Sequence, residues 1–218
     1  MSSGDRIETS SISSGLTNLD GRIRRGARTR HTLEKAALRL FVKKGFDETT
    51  IEEIAESAGV SGRTFFRHFA TKEDVLVGDQ AAFRESLARG FAARPEGEPV
   101  LESVKQALLT LAREYEDDRD HLLLAAQVGG QIPSVVARGI QHQRSWEDLI
   151  ANYCAQRLDV DPNTDPRPRL IAGTTVVALA LSIGRWVESN GQHQLGDLLS
   201  ETLELTQDSF GLPGEPSR

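Results

Sequence analysis

Residues 50–76 read TIEEIAESAGVSGRTFFRHFATKEDVL, and this stretch decides the fold. Thr50 can cap a helix while Glu53 reaches back to complete a capping box. Ile51, Ile54, Ala55 and Ala58 then share the buried face of that helix. Gly59 permits a tight turn, Val60 plugs the junction, and Ser61 caps a third, very short helix running through Phe69. Thr71 and Asp74 form a further cap pair, predicting a long fourth helix that Pro95 ends. Two helices joined by a short glycine turn, the second short and basic, predict a helix-turn-helix.

Upstream, Leu33, Ala36, Ala37, Leu40 and Phe41 recur at helical spacing and predict a first helix over 29–44, closed by Lys43, Lys44 and Gly45. Residues 1–26 have no periodic apolar pattern and are expected to be a disordered basic arm. The arm and its junction carry Arg22, Arg24, Arg25, Arg28 and Arg30. Such a cluster either reaches into a minor groove or is a solvated tail.

Downstream, the chain reads as helical throughout. Leu101, Val104, Leu108, Leu111 and Tyr115 mark one helix, and 121–158 reads as two helices interrupted near Gly129–Pro133. The Pro-rich DPNTDPRPR precedes an apolar helix over 170–189, and a last helix runs from Leu195 to Phe210. No segment alternates with period two over strand length. The expected fold is all-α with about nine helices: a helix-turn-helix domain over 27–87, a helical effector-binding and dimerisation domain over 88–212, and a tail over 213–218. The most apolar run, Ile171 to Ile183, is shorter than the ~20 residues a bilayer span needs, so no membrane association is expected.

Charge divides along the same line. Net charge is −6 overall, yet Gly21–Lys72 holds 12 Lys and Arg against 6 Asp and Glu, a balance of +6. That segment would attract nucleic acid and the remainder would repel it. The outward positions of the third helix are Gly62, Arg63, Thr64 and Arg67, which suit base edges and phosphates in a major groove. Ser61 and Thr50 can offer hydroxyl or amide hydrogens to phosphate.

Other chemistry finds little support. The single cysteine, Cys154, excludes an internal disulfide and a Cys-based zinc site, which suits a reducing cytoplasm. No apolar core of a signal peptide appears in the first twenty residues. His31, His68, His121, His142 and His193 show no HExxH-type spacing, so no metal is expected. Neither a GxSxG elbow nor a GxxxxGK[ST] loop occurs, and no enzymatic activity or cofactor is expected.

The 50–76 stretch resembles the DNA-binding signature of the tetracycline-repressor (TetR) family. The resemblance rests on Gly45–Phe46, Thr50, Ile54–Ala55, Ala58–Gly59–Val60–Ser61, Phe65, His68–Phe69 and Lys72–Glu73, and covers roughly residues 28–80. It implies a cytoplasmic homodimeric transcriptional regulator, usually a repressor, whose C-terminal domain binds a small molecule. It further implies phosphate contacts from Thr50, Ser61, Thr64 and Lys72, and a base contact from Arg63. Phe66 stands where the family commonly has Tyr, which removes one phosphate hydrogen bond; Arg67 can compensate with charge. His68 either bonds a phosphate or orders the helix packing. SGRTFFRHF (61–69) is similar to a subgroup linked to acyl-CoA-like ligands, which implies a hydrophobic or acyl-CoA-like effector. An architectural DNA binder without a ligand, and a helical enzyme or carrier with a basic N-terminus, are the competing readings.

Overall fold

The computed structural model describes residues 6–210, with side chains from Arg25 to Thr206 apart from Gln80. The expected tail at 213–218 lies outside the described residues. Those described form ten helical segments and no strand: α1 (Arg6–Lys44), α2 (Ile51–Ser57), α3 (Gly62–His68), α4 (Asp74–Val77), α5 (Gln80–Ala92), α6 (Val100–Asp117), α7 (Arg119–Gly129), α8 (Pro133–Leu158), α9 (Arg167–Glu188) and α10 (Leu195–Phe210). The chain packs as two units, Met1–Val75 and Leu76–Arg218.

Three sequence expectations are corrected. Helix α1 begins at Arg6, so residues 6–26 continue the helix expected from Thr29. Propagation adds one backbone hydrogen bond per residue fixed, so a packed helix extends into a polar segment that contains no proline. The long fourth helix is broken at Gly78, whose φ is +83°. Asp79 then caps α5, its carboxylate accepting from the Ala81 and Ala82 amides at 2.9 and 3.1 Å. Apart from that break, the layout is the all-α arrangement of about nine helices that the sequence predicts. On α1, Leu38 joins Leu33, Ala36, Ala37 and Phe41 in the core, while Leu40 is only half-buried.

In the first unit, Ile54, Ala55, Phe65 and Phe69 are buried with the apolar face of α1. In the second, Leu87, Leu108, Leu111, Ile150, Leu179, Trp186 and Leu195 are fully buried. Helix α9 packs between α8 and α10. Its length and apolarity would suffice to cross a membrane, but Ala172, Val176, Leu179 and Trp186 face the core. Its other face is apolar too: Leu170, Val177 and Leu181 are exposed, with Leu205 of α10.

Candidate nucleic-acid interface

The caps that set α2 and α3 are formed as the sequence predicts. Thr50 Oγ1 accepts from the Glu53 amide at 3.2 Å, and Glu53 Oε2 accepts from the Thr50 amide at 2.9 Å. Lys44 Nζ donates to Glu53 at 2.6 Å, a link between α1 and α2 that spacing alone did not reveal. These hydrogen bonds, led by the one from Lys44, lower the Glu53 carboxyl pKa to about 2. Because the Thr50 hydroxyl also lies 2.9 Å from Glu53 Oε2, it is already engaged in this cap.

The turn into α3 needs a left-handed residue. Gly59 supplies it at φ +70°, its amide donating to Glu56 O and that of Val60 to Ala55 O. Ser61 Oγ then accepts from the Thr64 amide at 3.2 Å and lies 3.0 Å from Thr64 Oγ1. Phe65 is completely buried, and its ring lies 5.3 Å from that of Phe69. With Phe65 and Phe69 turned inward, the opposite face of α3 is open. Ser61, Arg63, Phe66 and Arg67 are exposed, while Gly62, Thr64 and His68 are half-buried. Neither Arg63 nor Arg67 has a hydrogen bond or ion pair among the described residues.

Two basic residues have partners inside the protein: Arg30, read from the sequence with the arginine cluster, and Lys72, which the resemblance implies as a phosphate contact. Arg30 donates from Nη1 to His68 O at 2.9 Å, pairs with Glu34 at 3.0 Å, and stacks 4.2 Å over the Phe69 ring. Lys72 donates to the carbonyls of Phe46, Thr49 and Asp47 at 2.7, 3.1 and 3.3 Å and lies 4.4 Å from the Phe46 ring centre. The Gly45–Phe46 pair in the motif was the available signal for that second clasp. Arg28, by contrast, is exposed.

Lys72→Met separates the two roles. If the ammonium serves mainly to hold the α1–α2 loop, stability falls by about 1.5–3 kcal/mol, as for lost hydrogen bonds to a charged group. The salt slope of DNA binding then stays put, whereas loss of a phosphate contact lowers it by about 0.9. Thermal melts and salt-dependent binding distinguish the outcomes; an unchanged melt with a reduced slope would refute the clasp.

Residues 33–77 match the family model "Bacterial regulatory proteins, tetR family", and residues 98–211 match the MftR C-terminal domain. The regulator TcmR of Streptomyces glaucescens is 35% identical over 173 residues, covering 76% of this chain and 74% of its own. The chain belongs to the TetR family. MftR of Mycobacterium tuberculosis is 28% identical over 160 residues, covering 73% of this chain and 79% of its own. Among solved structures, the Thermus thermophilus repressor FadR in complex with lauroyl-CoA shares 26% identity at a TM-score of 0.56, covering 87% of this chain and 98% of that one. As a member of this family, the protein is a DNA-binding transcriptional regulator.

The seam between α5 and α8 is filled by stacked rings, Phe83 on Trp146 at 4.0 Å and Phe91 on Tyr153 at 3.8 Å. A cavity of about 180 Å³ lies instead among the ends of α6, α8, α9 and α10, lined by Leu101, Leu158, Ile171 and Leu203 with Lys105 and Arg167. A shallower groove of about 410 Å³ runs along α9 and α10 past Leu170, Gly173, Val177, Leu181 and Thr202.

Proposed function

We propose that this protein is a cytoplasmic homodimeric repressor that reads a roughly palindromic operator with α3 and releases it on binding a small hydrophobic or acyl-CoA-like effector. The observation that carries the DNA-reading half is the outward face of α3, where Arg63 and Arg67 stand exposed and without partners among the described residues. Free guanidiniums on a helix that fits a major groove are suited to guanine edges and phosphates. The proposed contact set is Ser61, Gly62, Arg63, Thr64, Phe66 and Arg67. Thr50 and Arg28 flank it on the backbone. Arg30, His68 and Lys72 act by holding α3 and the α1–α2 loop in place.

Selection of bound sequences from random DNA tests this directly. A defined motif with two half-sites is the expected result, and equal affinity for all sequences would favour an architectural binder. With the selected operator, Arg63→Ala should cost about 1–3 kcal/mol and relax preference at one base position. Equal weakening on random and selected DNA would remove Arg63 as the base reader.

The effector half draws on the lauroyl-CoA complex of T. thermophilus FadR. A cavity near 180 Å³ is close in size to the ~150 Å³ that accommodates a benzene ring. A long acyl chain therefore requires the second unit to open, and the Phe83–Trp146 seam is the place where Trp146 fluorescence would report it. A coupling of about 1–3 kcal/mol changes operator affinity roughly 5–150-fold, and operator must weaken effector binding by the same factor. Calorimetric titration of acyl-CoAs, fatty acids and apolar drugs into free and operator-bound protein measures both sides. Equal affinity in the two states would exclude a compound as effector.

A further inference from the structure

The centre of the α3 face carries an apolar side chain that the protein core leaves in the open. Phe66 is 55% exposed. Its ring meets that of the buried Phe65 edge-on, with centroids 5.7 Å apart and planes at 86°. Leaning on an immobile neighbour holds the exposed ring in one orientation. Arg63 lies one turn before Phe66 on the helix, and Arg67 follows it; both are exposed and without partners among the described residues.

A phenyl ring in this position has no hydrogen to donate to a phosphate. Pressed against a polar base edge, it would strip water from that edge and return nothing. The apolar group that the four bases present in the major groove is the C5-methyl of thymine. Ring and methyl bury each other with no polar group left unsatisfied. We infer that Phe66 is a specificity-determining residue that packs on the C5-methyl of a thymine beside the base read by Arg63.

This inference rests on the proposed docking of α3 in the major groove, and its test separates the two. Each thymine of the selected operator is replaced in turn by deoxyuridine, which removes the methyl and keeps every hydrogen-bonding group. Fluorescence anisotropy then gives the affinity of the parent chain, Phe66→Ala and Phe66→Tyr for each duplex. One thymine per half-site should stand out for the parent, its replacement weakening binding about fourfold, the equivalent of one buried methyl. Replacement in both half-sites should weaken binding about 15-fold if they act independently. Phe66→Tyr keeps the ring and should keep the penalty. For Phe66→Ala, operators with and without that methyl should bind within about twofold of each other, because no contact remains to lose. Indifference of the parent chain to every deoxyuridine overturns the inference while leaving operator binding intact, and so does a penalty that persists in Phe66→Ala. Failure to select any sequence would instead overturn the docking of α3 itself, and Phe66 with it.

Discussion

A chain carrying Leu181→Arg is expected to sediment as a monomer and to bind the selected operator at least about 100-fold more weakly than the parent, the lower end of what linking two binding modules contributes. Helix α9 is apolar on two faces, and only one is covered by its own core. Leu170, Val177 and Leu181 continue along the other, with Leu181 57% exposed, and Leu205 of α10 is exposed as well. Gly173 and Gly184 leave room along the same helix for a close approach, and the groove over α9 and α10 gives it shape. A second copy of the same face is the economical cover, because a two-fold axis makes one patch self-complementary. The substitution then appears on both protomers and buries like charges where apolar surface met apolar surface, at a cost of several kcal/mol. Circular dichroism should show the helices intact, since the side chain points away from the core. Light scattering that finds the parent chain monomeric at micromolar concentration, or Leu181→Arg still dimeric, would refute this interface.

The elements that proved legible in the sequence are those fixed by neighbours in the chain. The Thr50–Glu53 box, the left-handed Gly59, the Ser61 cap and the interruption after Gly129 each depend on residues within a turn of one another. Local competition accounts for what was misplaced. Val77–Gly78–Asp79 contains both a left-handed residue and a strong cap, yet the apolar pattern on either side hid the break. The outward positions of α3 were legible from spacing, but the intramolecular partners of the basic residues were not. For Arg30 and Lys72, sequence records the charge and not the reach. Both side chains are long enough to find carbonyls 38 and 26 residues away, at His68 and Phe46, and the fold brings those acceptors to them. The same limit hid the α5–α8 ring stacks, whose members are separated by most of the intervening chain. Small residues of α9 are divided between its faces: Gly184 is exposed and Gly173 half-buried, while Ala178 is buried.

Phe65→Ala should produce the largest loss of stability in the DNA-binding unit, about 3–5 kcal/mol, the usual cost of emptying a buried aromatic site. Phe65 has no exposed surface, and three things depend on its ring. Phe69 packs on it at 5.3 Å and Phe66 leans on it edge-to-face. Phe69 in turn carries the Arg30 guanidinium, which holds the last carbonyl of α3 at His68. Removing one ring therefore loosens both ends of the anchor for a helix of seven residues, too short to persist without tertiary packing. Domains have only about 5–15 kcal/mol in total, so operator binding should fall with the population of folded unit. Phe65→Leu keeps most of the volume and should cost less than about 1.5 kcal/mol if the neighbours can repack. That contrast distinguishes packing from chemistry at α3, because neither substitution replaces a group offered to DNA. Denaturant melts followed by circular dichroism, alongside operator binding, measure the two together. If Phe65→Ala melts within about 1 kcal/mol of the parent and binds operator unchanged, α3 is held by something other than its aromatic anchor.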